Sequence, residues 1–108
     1  MDDRYRLCMA LTRFGFIVTG TGLDPDTHVA VMESSTFRMI AVGVARAEDG
    51  VEVAKRLVAD GVQLIELCGG FGPIWTARII EAIGGAVPVG AVAYGPESID
   101  AMYALFAT

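Results

Sequence analysis

The chain has 108 residues, of which 54% are hydrophobic and 19% charged, with a formal net charge of -5. That length argues for a single domain, and that composition excludes disorder, collagen-like repeats and coiled coils. The acidic balance argues against a nucleic-acid binder, because a phosphate backbone selects a basic footprint.

Residues 1–10 read as a polar lead and residues 11–108 as one α/β domain. Phe14 to Thr19 is an aromatic and β-branched run, the first expected strand. Asp24-Pro25 follows a Gly-Thr-Gly break and signals a helix start, with Asp as cap and Pro at the first helical position. The spacing predicts a helix from Pro25 to about Glu33.

Phe37 to Val44 is the second expected strand. Glu48 and Asp49 then place negative charge where a helix begins. Val51, Ala54, Leu57 and Val58 recur at helical spacing, and Asp60-Gly61 supplies the stop. Val62 to Leu67 is the third strand, ending in Cys68-Gly69-Gly70-Phe71-Gly72-Pro73. A third helix carries Thr76, Ile79, Ile80 and Ile83 on one face and stops at Gly84-Gly85. Val87 to Ala93 is the fourth strand, and a last helix runs from about Glu97 to Phe106.

Four βα units in succession predict a mostly parallel four-stranded sheet with helices on its faces, flavodoxin-like or half-barrel-like. The near-continuous apolar strands match strands covered on both sides. Ligands of such sheets bind at the carboxyl rim of the strands. The Gly69-Gly70-Phe71-Gly72 turn reaches that rim, where backbone amides approach a ligand closely. Thr19, Arg46 and Tyr94 reach the same rim from the other strand ends. The turn matches neither the P-loop nor the GxGxxG spacing, which disfavours a nucleotide site.

Cys68 stands at the end of its strand, where a helix N-terminus can activate a thiol; a small packed hydrophobe is the plainer reading. Glu66 shares a face with Cys68 by alternation, and if that face is covered the carboxylate must be paired or functional. Arg38, Arg46 and Arg78 are its possible partners. His28 is the single histidine and is expected in the first helix, on the same rim. A thiol, an imidazole and a carboxylate form the stock of an acid/base site, though a solvated histidine is the commoner case. One histidine without ligand spacing implies no metal, and no motif implies a cofactor.

The segment Val62 to Gly72, centred on Ile65-Glu66-Leu67-Cys68-Gly69-Gly70-Phe71-Gly72, resembles a family of small bacterial proteins of unknown function. The resemblance extends from the first strand through Val89 and includes the Asp-Pro segment with its histidine. It implies a (βα)-repeat fold and assigns no activity. The leading function is binding of a small acidic or phosphorylated metabolite at the Gly69-Gly72 turn. One alternative is an oligomeric structural module packing through Phe71, Trp75, Tyr103 and Phe106. Another is a small isomerase, lyase or cyclase using Cys68, Glu66 and His28. The reduced thiols Cys8 and Cys68 and the lack of a targeting or spanning segment imply a cytoplasmic protein. The apolar excess implies a homo-oligomer, at least a dimer, with no membrane or nucleic-acid partner.

Overall fold

A computed structural model describes residues 10–107. The lead expected over residues 1–10 therefore lies almost wholly outside the described residues, as does Cys8. Five strands form one sheet in the order β2-β3-β1-β4-β5. They are β1 (Arg13–Thr19), β2 (Val29–Glu33), β3 (Arg38–Val44), β4 (Leu64–Leu67) and β5 (Val89–Ala91). All neighbours run parallel except β2, which pairs antiparallel with β3. Three helices accompany them: α1 (Gly50–Ala59), α2 (Gly72–Ala82) and α3 (Ile99–Phe106).

The helix expected from Pro25 to Glu33 is instead a turn followed by β2. The Asp-Pro signal works locally. Asp24 Oδ1 accepts the Asp26 amide at 2.8 Å, and the Asp24 carbonyl accepts the amides of Thr27 and His28 at 3.1 and 2.7 Å. The single turn does not propagate, because Val29 and Val31 are β-branched and find partners in Val42 and Ile40 of β3. Ser34 closes the hairpin, its amide donating to the Phe37 carbonyl at 2.8 Å and its Oγ accepting the Phe37 amide at 3.1 Å. The sheet thus gains a fifth strand and loses one crossover helix.

Handedness then decides which face is covered. The chain moves from β3 to β4 through α1 and from β4 to β5 through α2, both times in the same direction across the sheet. Right-handed crossovers in one direction place both helices on one face. Gly15, Ile17, Val42, Val44, Ile65 and Leu67 look into that layer, where they meet Val53, Ala54 and Leu57 of α1 and Ile79 of α2. Each fully buried aliphatic side chain contributes about 1.5–3 kcal/mol. The opposite face carries Phe14, Phe16, Val18, Leu64 and Glu66 in alternation, and none of them is buried. Among the described residues the loop after β1 folds over part of it, with Leu23 and His28 lying over Gly43, and Met102 and Phe106 share a cleft with Val18 at its rim. The expectation of helices on both faces is corrected accordingly: the connection that would have covered the second face is the edge strand β2.

Two local devices fix the ends of the elements. Gly61 ends α1 at φ +92°, in the left-handed region that the cap requires, and the Val62 amide donates back to the Leu57 carbonyl at 3.0 Å. Gln63 then clamps the start of β1: its Oε1 accepts the amides of Thr12 and Arg13, each at 2.9 Å, and its Nε2 donates to the Ala10 carbonyl at 3.1 Å. None of the three helices is long and apolar enough to cross a membrane among the described residues.

The joint between the helices is tight at Gly50. A Cβ there would stand 2.5 Å from Phe71 Cε1 and 3.5 Å from Ile79 Cδ1. Phe71 is held in the core, so the clash has no flexible chain end to absorb it. Gly50→Ala is expected to destabilise the fold by about 1–3 kcal/mol, read as a lower urea midpoint. A wild-type midpoint in this variant would show that the α1–α2 joint is looser than described.

Candidate functional site

The carboxyl ends of β1, β3, β4 and β5 surround a cleft of about 690 Å³. Its lining comes from four chain segments: Val18 and Thr19, Ala45 to Ala47, Cys68 to Gly70, and Tyr94 with Met102 and Phe106. Thr19, Arg46, Cys68, Gly69, Gly70 and Tyr94 are thus brought together, although they are scattered over 76 positions of sequence (19 to 94, inclusive).

The position of the cleft follows from topology. From β1 the chain turns toward β2 and β3, whereas from β4 it turns the other way, toward β5. β1 and β4 are neighbours, so their outgoing loops diverge and leave a crevice between Thr19 and Gly70. Such a switch point is where open α/β sheets hold ligands.

The floor of the crevice is tightly packed. The Thr19 amide donates to Cys68 Sγ at 3.2 Å, and Thr19 Oγ1 lies 3.2 Å from the same sulfur. A Cβ on Gly70 would run into Thr19 Oγ1, so glycine there makes room for the Thr19–Cys68 contact. A Cβ on Gly69 would stand 3.0 Å from Tyr94 Cε2, so the Tyr94 ring rests against this turn. Gly72, at φ +66°, aims the chain into α2 with Pro73 at its start. Neither the Gly69 nor the Gly70 amide has a hydrogen-bond partner among the described residues.

Arg46 is the cation of the cleft, and two carboxylates already face it. Its Nη1 lies 2.9 Å from Glu48 Oε1 and its Nε 4.0 Å from Asp49 Oδ2. The guanidinium is exposed, which keeps these pairs weak and leaves donors for a further acceptor.

The remaining expected site residues lie elsewhere. Phe71 is buried in the core between α1 and α2, so its ring is out of reach of a ligand or a second subunit. Gly72 lines a neighbouring, more apolar cleft with Thr76, Ile80 and Val92. His28 is in the turn before β2, not in a helix, and lines a groove on the second sheet face with Val18, Leu23 and Ala41. Its Nδ1 accepts the Asp24 amide at 2.9 Å, so it serves the turn. Glu66 is exposed beside Phe16 on the second face and lines neither of those two spaces. The premise that forced a partner on it, a covered face, does not hold.

The arginines considered for Glu66 are engaged elsewhere. Arg38 pairs with Glu33 at 3.4 Å, Arg46 with Glu48, and Arg78 sits 4.6 Å over the Trp75 ring. Cys68, Glu66 and His28 therefore do not share one space. No group of His, Cys, Asp and Glu suited to a metal ion occurs among the described residues. Met102 and Phe106 were legible as apolar helix positions but not as cleft walls. No local signal carries that role, because it depends on where α3 lies.

The solvation of Glu66 is directly measurable. Glu66→Gln should change stability by no more than about 0.5 kcal/mol, as for an ordinary surface position. A loss of about 3–5 kcal/mol on denaturation would reveal a buried ion pair instead.

Comparison with curated proteins and with solved structures returned no match. A family model does match, over residues 12–107, which spans every strand and helix described above. The chain belongs to that family, DUF6506, a family of unknown function.

Proposed function

We propose that this domain binds a small acidic or phosphorylated metabolite in the rim cleft. The observation that carries this reading is the crevice between β1 and β4, where diverging loops open the sheet beside Thr19, Gly69, Gly70 and Arg46. A volume of about 690 Å³ suits a small molecule. Unpartnered amides at Gly69 and Gly70 and the open edge of Arg46 offer donors to an acceptor-rich ligand. A thermal-shift screen of carboxylate and phosphate metabolites tests it. A ligand at a hundredfold excess over its Kd adds about 2.7 kcal/mol of apparent stability. Arg46→Gln should weaken such a ligand about tenfold, since a charge-assisted bond contributes about 1.5 kcal/mol or more. A screen in which neither class shifts the melting temperature refutes the reading.

A second reading, a homo-oligomeric module, rests on a different observation. α3 has no buried residue, and Tyr103 and Leu105 are more than two-thirds exposed. Among the described residues the second sheet face also lacks a helix layer. We read these surfaces as the place where a second copy of this chain packs, since large uncovered apolar patches mark association sites. Sedimentation should then show a dimer, and Tyr103→Glu or Leu105→Glu should raise its dissociation constant about tenfold or more. A monomer at all concentrations removes this reading and leaves the first intact.

A further inference from the structure

We propose that the ligand of the rim cleft is an aromatic acid, a planar apolar body bearing a single carboxylate, and not a phosphorylated metabolite. This rests on the reading of the rim cleft as a binding site and narrows it.

The glycine turn is the first reason. A phosphate cradle needs glycines whose missing side chains leave room for the ligand. Here the side-chain space of Gly69 and Gly70 is taken by the protein itself, which leaves their two amides and no wider cradle. Tyr94 rests against Gly69, and Thr19 Oγ1 occupies the place beside Gly70. Thr19 in turn has both its amide and its hydroxyl on Cys68 Sγ.

Charge is the second reason. Arg46 is the cation lining the cleft, and Glu48 and Asp49 both face it. A phosphate monoester carries about -1.5 to -2 at neutral pH and would meet more negative than positive charge there. A carboxylate brings a single charge and needs one edge of a guanidinium, which has five donors. Two of the Arg46 nitrogens are engaged, and the rest of the fork remains for one planar anion.

The apolar wall is the third reason. Tyr94 is 58% exposed and Phe106 75% exposed, although both line a concave space with Met102 and Val18. Aromatic rings carry about 150–250 Å² each, so leaving two of them wet is costly. A planar ring bound in the cleft would cover part of this apolar lining, and the thioether of Met102 suits an aromatic edge. Arg46 follows β3 and Tyr94 follows β5, strands that stand on opposite sides of the β1–β4 pair, so this cation and this ring enter the cleft from opposite sides. The cleft therefore combines one cation with an aromatic and thioether wall, the needs of an amphipathic monoanion.

Three probes separate the possibilities on the full chain: 2-naphthoate, phenyl phosphate and glycerol 3-phosphate, titrated by calorimetry with amide chemical shifts as the site readout. 2-Naphthoate should bind about tenfold or more tightly than either phosphate and should shift the Thr19 and Gly70 amides. Tyr94→Ala, Phe106→Ala and Arg46→Gln should each weaken it about fivefold or more. All three side chains are exposed, and amide spectra report whether the variants keep the fold. Tighter binding of either phosphate, lost in Arg46→Gln, would overturn the aromatic-acid assignment and keep the rim cleft as a binding site. 2-Naphthoate binding indifferent to all three substitutions would also overturn it. Failure of all three probes to bind would overturn both the assignment and the site.

Discussion

The fixed hand of the crossover between parallel strands is the constraint on which this structure depends. Strand twist makes β-crossover-β units right-handed, so the direction in which the chain steps across the sheet decides which face each helix covers. Here both helical steps, β3 to β4 and β4 to β5, run the same way. α1 and α2 consequently share a face, and Ile17, Ile65, Leu67 and Ile79 are fully buried between them and the sheet. The step in the other direction, from β1 to β3, is made through an antiparallel strand. A strand in the sheet adds width and no cover, so on the second face Phe16 stays half-buried and Glu66 exposed.

The same stepping pattern opens the rim. β1 is the strand from which the chain moves one way first and across which it later moves the other way. The crevice beside it forms without any dedicated motif. What the local sequence supplies is fit: glycine at 69 and 70 lets Tyr94 and Thr19 close the floor of the crevice. The turn is therefore a packing element as well as a boundary of the cleft. Its glycines serve neighbouring side chains, and Arg46, Tyr94 and Phe106 complete the lining of the cleft.

Much of this was legible in the sequence. β1, β3, β4 and the two helices that follow β3 and β4 appear where apolar runs and periodicity place them, and Gly61 acts as the cap its Asp-Gly context implies. The segment after Asp24-Pro25 was not, because a correct start signal and a strand-forming Val-Ala-Val run stand next to each other. The competition between them is settled by β3, whose Val42 and Ile40 pair with Val29 and Val31. The consequences spread: His28 lies in a turn and not in a helix, the second face has no helix layer among the described residues, and Glu66 has no reason to be paired. Gln63, which clamps residues some fifty positions away, left no local trace at all.

By itself, then, the sequence determined the element types wherever period, composition and capping agreed, and the parallel character of most of the sheet. These are local or pairwise properties, written in side-chain spacing and in the conformational preferences of Gly, Pro and β-branched residues. Only the tertiary structure decided the strand order, which face the helices cover, and the company of each candidate residue. Those depend on contacts between segments far apart in the chain, whose entropy of closure is offset only when the whole layer forms. For that reason Thr19, Arg46, Cys68 and Tyr94 meet in one cleft, while His28 and Glu66 lie outside it.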